Sequence, residues 1–229
     1  MNVLAVIAHP DDETCFAGFI KKVTNSGGKV LIVCYTGRKQ REIELKNSCN
    51  VLGAKCILLG FKDLSLKTSL SQEKEIKRLK EIIVKFKPEI LITMSSYDYH
   101  PDHKVLNELV RLAAEFASHG EVDKAWLVKK ILTFEDNNLL PYPDLIIDIT
   151  DEFSYKLLSL KQHVSQLSSA YKKNYYTDLA IKLAELRGVM GGCKYAEACN
   201  EIILPVHGNF YCENRLIKNS EDVISYGKK

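Results

Sequence analysis

The sequence predicts an α/β fold: a doubly wound, Rossmann-like sheet, mostly parallel, with a helical C-terminal part. Three observations lead there. Over the first 150 residues, short β-branched apolar runs alternate with longer amphipathic segments, the rhythm of parallel strands joined by crossover helices. The apolar runs lack polar alternation, as strands covered by helices on both faces do. From Asp151 onward the pattern turns helical.

In order, "VLAVIA" (Val3 to Ala8) reads as the first strand, with a helix over about 12–24. "KVLIVCY" (Lys29 to Tyr35) is the second, with a helix over about 40–52, and "KCILLG" (Lys55 to Gly60) the third. The helix expected over 71–86 begins where Ser71 is positioned to cap it and Glu73 and Glu75 suit its first turn. "EILITM" (Glu89 to Met94) is a fourth strand, leading to a helix over about 102–117. "KKILTF" (Lys129 to Phe134) and "LIIDIT" (Leu145 to Thr150) follow as strands. Helical "DEFSYKLLSLKQHVSQLSS" and "YYTDLAIKLAELRGVM" come next, and "EIILPV" reads as a last strand.

The 229 residues suit one domain over 1–215 with a lysine-rich tail over 216–229. A net charge of +3 without a basic block points away from nucleic acid. No apolar run approaches the ~18 residues of a membrane span, and the opening residues read as a strand, not a signal peptide. Seven scattered cysteines, none in a C-x-x-C pair, are expected to be reduced thiols of a cytoplasmic protein.

Two short stretches carry the chemistry. "VIAHPDDET" (Val6 to Thr14) follows the first strand, and "YDYHPDHKV" (Tyr97 to Val105) repeats His-Pro-Asp after the fourth. In an open α/β sheet, ligands sit beyond the carboxyl ends of strands where the strand order reverses. With the common 3-2-1-4 order the two stretches converge on one site. His9, Asp12 and His103 then offer two imidazoles and a carboxylate, a donor set suited to Zn²⁺ and open to other divalent metals. Asp11 cannot readily point the same way as Asp12, so it is free to act as general base on a water. His100 is placed to stabilise a substrate oxyanion, and Asp102 and Glu13 to orient the imidazoles. A single His-Pro-Asp could be a helix start with Pro at the first helical position; two copies beside adjacent strands weigh against that.

"AHPDDE" (Ala8 to Glu13) together with "HPDH" (His100 to His103) resembles the LmbE-like, PIG-L-type zinc de-N-acetylases. The resemblance runs from residue 2 to about 200. It takes in "REIEL" (Arg41 to Leu45), "LGFKDL" (Leu59 to Leu64), "KQHVSQ" (Lys161 to Gln166) and "YAEAC" (Tyr195 to Cys199). It implies metal ligation by His9, Asp12 and His103, base catalysis by Asp11, and an oxyanion-facing His100 with Asp102 behind it. It further implies substrate contacts from Arg41 and Asp63. His163 becomes a candidate near the substrate or a subunit contact. Where some members carry a tyrosine two residues before the oxyanion histidine, this chain has Asp98 between Tyr97 and Tyr99, so either tyrosine is a candidate assistant.

The expected activity is therefore zinc-dependent removal of an acetyl group from an N-acetylated, N-acetylglucosamine-type sugar or its conjugate. The alternatives are an amidase acting on a larger glycoside-conjugate amide, a non-catalytic sugar-binding or regulatory protein, and a metal phosphoesterase. The expected partner is a small-molecule amino-sugar conjugate. The tyrosine-rich "SAYKKNYYTDL" (Ser169 to Leu179) is a candidate homo-oligomer contact.

Overall fold

A computed structural model describes residues 1–121, 124–168 and 174–204; the tail, Pro205 and Val206 of the last expected strand, and Ser169 to Lys173 of the tyrosine-rich stretch lie outside them. Strands β1 (Asn2–Ile7), β2 (Lys29–Thr36), β3 (Lys55–Phe61), β4 (Ile90–Thr93), β5 (Lys130–Phe134), β6 (Leu145–Asp148) and β7 (Ala196–Ile202) form one sheet in the order β3-β2-β1-β4-β5-β7-β6. The first five of these run parallel, while β7 lies antiparallel between β5 and β6.

The apolar character of β1 on both faces is explained by the packing. Val3, Ala5 and Ile7 join Phe16, Ile20, Leu45 and Leu52 on one side, against α1 (Ala17–Asn25) and α2 (Lys39–Leu52). Leu4, Val6 and Ala8 join Leu79, Ile83, Leu106 and Val110 on the other, against α4 (Gln72–Phe86) and α5 (Pro101–Ser118). A short α3 (Leu66–Ser69) precedes α4. Because β2 and β4 flank β1, the strand order reverses there, and the segments after β1 and β4 meet above the same crevice.

Four local expectations need correction. The segment expected as a helix over 12–24 is a 3₁₀ turn, Asp12–Phe16, followed by α1, because Asp11 (φ 124°) and Phe16 (φ −123°) both leave the helical region. Ser71 stands at the N-cap of α4, yet its side chain makes no capping bond. The helix expected over 151–169 is broken into α6 (Phe153–Leu160) and α7 (Val164–Leu167) at His163, whose backbone (φ −86°, ψ 57°) is not helical. The last strand is centred on "AEACN" rather than "EIILPV". A charged residue near the start of the strand, Glu197, conceals it from a hydrophobicity reading. Glu197 is buried because Gly18 and Phe19 N–H groups at the start of α1 and the Lys156 ammonium all bond its carboxylate.

Buried polar pairs dock the helical part, completed by α8 (Tyr175–Gly191), on the parallel half. His163 Nε2 lies 2.6 Å from Glu13 Oε1, and neither side chain is exposed to solvent. Ser48 of α2 donates to the same oxygen at 2.6 Å and meets Ser159 of α6 at 2.8 Å. Ser165 donates through its N–H and hydroxyl to Glu44. Burial disfavours a charged His163, but the Glu13 carboxylate outweighs it and raises the imidazole's pKa. Its stabilising contribution is therefore fully present below the unfolded value of about 6.5 and lost as pH rises through the higher folded value. His163→Ala leaves Glu13 buried without its cation and should cost about 3–5 kcal/mol near pH 6. Urea unfolding at pH 6 and pH 9 checks this: the gap between wild type and variant should narrow at the higher pH.

Candidate active site

The loop after β1 is held in an unusual shape. Asp11 is a non-glycine residue at φ 124°, ψ −23°, a conformation that costs on the order of 1–3 kcal/mol and persists only when its surroundings hold it. Glu13 Oε2 accepts the Asp11 N–H at 3.0 Å, and Thr14 returns its own N–H to the Asp11 carbonyl. Arg41 Nη2 donates to Pro10 O at 2.6 Å and to Asp11 Oδ1 at 2.7 Å. The two neighbouring carboxylates are thereby sent apart. Asp12 Oδ2 turns back to accept Ala8 and His9 N–H groups at 3.0 and 2.8 Å.

On the Asp12 side, three potential ligand atoms face one another. His9 Nδ1 lies 3.2 Å from His103 Nε2 and 3.6 Å from Asp12 Oδ2, and His103 Nε2 lies 3.5 Å from the same oxygen. Bonds of about 2.0–2.1 Å at tetrahedral angles put ligand atoms ~3.3 Å apart, so this triangle fits one face of a zinc-type tetrahedron. The two imidazole nitrogens can hold only one proton between them, and a divalent cation would satisfy both lone pairs at once. These residues also enter wider groups with ligand atoms within 4.8 Å: His9 with His100 and His103, His9 with Asp63 and Asp102, and Asp12 with His103 and Asp136. The donor set therefore fits a divalent metal.

The electrostatics separate the adjacent aspartates. Burial pushes Asp11 up to about 7 against the pull of Arg41. Burial also opposes ionisation of Asp12, but His103 and His9 hold it well below the usual carboxylate range. For the imidazoles, burial opposes charge, but Asp12 outweighs it and raises the pKa of both His9 and His103.

His100 packs edge-on to His9 with ring centroids 4.5 Å apart. Its Nδ1 accepts the Asp102 N–H at 3.3 Å, which leaves Nε2 as the protonated nitrogen of a neutral ring. Burial, then His9 and His103, lower its pKa and favour that neutral form.

Several expected residues occupy other positions. The Asp102 carboxylate is not behind His100: it accepts Leu64 and Leu66 N–H groups at 2.8 and 3.1 Å and lies 3.4 Å from His9 Nε2. From the first turn of α5, Asp102 reaches the loop after β3 instead of His100 two residues before it. Glu13 meets no imidazole of the ligand group but that of His163. Asp63 Oδ1 approaches His9 Nε2 at 3.1 Å while remaining half exposed. Tyr99 and His163 line the cleft with Arg41 and Asp63; Tyr97 is not among its lining residues, and its side chain is exposed.

Two carboxylates escaped the sequence reading as site groups. Asp98 Oδ2 lies 2.9 Å from His103 Nδ1 as an ion-pair approach rather than an aligned hydrogen bond, and burial is outweighed by His103 to lower its pKa. Asp136 Oδ2 lies 3.4 Å from the same nitrogen; burial, then Asp12, push its pKa up to about 7. Its signal was position, since "FEDNN" ends a strand as "AHPDD" does.

Residues 4–114 match PIG-L, described as GlcNAc-PI de-N-acetylase. A Bacillus cereus protein named "Probable N-acetyl-alpha-D-glucosaminyl L-malate deacetylase 2" is 30% identical over 186 residues, covering 72% of this chain and 83% of the relative. Diacetylchitobiose deacetylase of Thermococcus kodakarensis is 29% identical over 220 residues, covering 86% and 81%. Among solved structures, N,N'-diacetylchitobiose deacetylase of Pyrococcus horikoshii superposes with a TM-score of 0.74 at 23% identity over 96% of this chain and 88% of that one. GalB, a 4-carboxy-2-hydroxymuconate hydratase of Pseudomonas putida, reaches 0.76 at 20% identity over 91% and 98%, which shows a shared fold. With its sheet, its ligand-like triad and these relatives in agreement, the chain belongs to the PIG-L family of de-N-acetylases.

Proposed function

We propose that this protein is a zinc-dependent N-deacetylase that hydrolyses the acetamide of an N-acetylated amino sugar or its conjugate. The observation that carries the reading is the divergence of Asp11 and Asp12 across one site, an arginine-paired carboxylate beside a two-imidazole, one-carboxylate donor set. His9, Asp12 and His103 would hold the metal. When bound, it supplies Lewis-acid polarisation and lowers the pKa of a water from about 15.7 toward ~7.

Asp11 receives the proton of the attacking water and delivers it to the departing amine as the carbon–nitrogen bond breaks, giving acetate and a free amino sugar. Arg41 orients Asp11 through the 2.7 Å contact. His100 donates its Nε2–H to the oxyanion formed at the carbonyl. Asp63, half exposed at the rim, is an acceptor for sugar hydroxyls. Asp98 and Asp136 hold His103 with Nε2 turned to the metal position.

Acetate release from a panel of N-acetylated sugars and glycosides tests the activity, and chelation should abolish it until zinc is restored. Asp11→Asn should lower kcat by about 10²–10⁴ while metal content stays at the wild-type level; full activity in that variant would remove the base assignment. Asp11→Gly relieves the strained φ, so its melting temperature should equal or exceed wild type while activity is lost. Asp98→Asn should weaken zinc affinity about 10–100-fold in a chelator competition.

A further inference from the structure

Contacts cross the site from one end of the cleft to the other. Asp63 Oδ1 lies 3.1 Å from His9 Nε2, and His9 Nδ1 lies 3.2 Å from His103 Nε2. His103 Nδ1 lies 3.4 Å from Asp136 Oδ2, and Cys15 Sγ donates to Asp136 Oδ1 at 3.0 Å. Each imidazole is entered at one nitrogen and left at the other, so Asp63 and Cys15 stand on opposite sides of the triad. Asp63 faces solvent. Past Cys15 the cleft, about 250 Å³ in all, is bounded by α6, α8 and β7.

The arm between α6, α8 and β7 is lined by Leu160, Leu179, Ala180, Leu183, Ala184 and Ala198, with Tyr175 and Tyr176 at the N-terminal end of α8. Its charged groups are already engaged. Lys156 Nζ donates to Thr14 O, Cys15 O and Glu197 Oε1, using all three of its protons. The Glu197 oxygens also accept Gly18 and Phe19 N–H groups. Arg187 closes on Glu135 with two nitrogens and on the Leu140 carbonyl. Beyond those tyrosines, sugar hydroxyls would lose their waters and find few partners, whereas an alkyl chain gains by burial.

We infer that this arm receives the acyl side of the scissile amide, and that the protein hydrolyses amino-sugar amides whose N-acyl group is an alkanoyl chain longer than acetyl. The inference rests on the amide-hydrolysis reading above. A secondary amide is almost always trans, so its nitrogen substituent and its acyl carbon chain leave in opposite directions. A sugar held at Asp63 and Arg41 therefore sends the acyl chain past the triad toward Cys15 and the arm. The reaction balances as simple hydrolysis: water's oxygen bonds the carbonyl carbon, the carbon–nitrogen bond breaks, and the amine leaves with a proton. A free alkanoate is the second product.

Zinc-loaded full-length protein is assayed for free amine with N-acetyl-, N-butyryl- and N-hexanoylglucosamine. The expected result is a rise in kcat/KM of about fourfold per added methylene over the first few carbons. A flat or falling series with intact acetyl hydrolysis overturns the acyl-arm proposal and leaves deacetylation standing. Hydrolysis of none of the three overturns both. Calorimetric titration with acetate and with hexanoate gives a readout independent of turnover: hexanoate should bind at least about tenfold tighter, and equal affinities count against the arm. Ala180→Phe, which adds a ring to the same lining, should reduce the hexanoyl-to-acetyl ratio about tenfold. An unchanged ratio in a folded Ala180→Phe protein overturns the location, and the wild-type series stands as a test whether or not that variant folds.

Discussion

The carboxylate of Glu13 is wholly buried, and each of its contacts fixes something beyond itself. One oxygen takes the Asp11 N–H and holds that residue in a conformation its side chain disfavours. The other takes the Ser48 hydroxyl and the His163 imidazole, and so binds α2 and the break between α6 and α7. A carboxylate removed from water costs several kcal/mol unless such partners replace its hydration. Forming the reactive loop and docking the helical part are therefore one event. The helices after residue 150 are part of the site's construction, not an appendage to a finished sheet.

The strained backbone explains why two adjacent aspartates behave so differently. With ordinary backbone angles, Asp11 and Asp12 would compete for the same space and for the same cations. Instead Asp12 is enclosed by two imidazoles and two backbone N–H groups, an environment that favours its charge. Asp11 is half-buried with one guanidinium as its main compensation, and desolvation raises its pKa to about 7. Placing neighbouring carboxylates in unlike environments is how one site obtains a permanently charged group and a proton acceptor. Arg41 adds direction, since its bonds to Pro10 O and Asp11 Oδ1 set where the acceptor points.

Much of this was legible in the chain and part was not, for physical reasons. Buried parallel strands write themselves as apolar runs, so β1 to β4 and their order could be read. That order brought His9, Asp12, His100 and His103 to one crevice. What stayed hidden were charges satisfied through distant partners. Glu197 obscured β7 because its compensation comes from α1 and Lys156, far away in sequence. Asp102 was assigned to the neighbouring imidazole, but two loop N–H groups on the β3 side capture it. Asp98 and Asp136 approach His103 from two different loops, a convergence that spacing within either loop cannot reveal.

The two walls of the cleft come from different halves of the chain and answer different demands. His9, Asp11, Asp12, Arg41, Asp63, His100 and His103 all lie before residue 104, on the loops and first helical turns at the carboxyl ends of packed parallel strands. Bond making needs its groups held within a fraction of an ångström, which a rigid sheet edge supplies. The opposite wall is built by α6, α8 and β7, where Lys156 pairs with Glu197 and Arg187 with Glu135 beside the apolar lining residues. Those internal pairs let the wall carry charge for its own cohesion while presenting little of it to a ligand. An exchange of Leu179, Ala180 or Leu183 would reshape the arm without touching the Glu13 network, so substrate choice can change while the reacting geometry stays fixed.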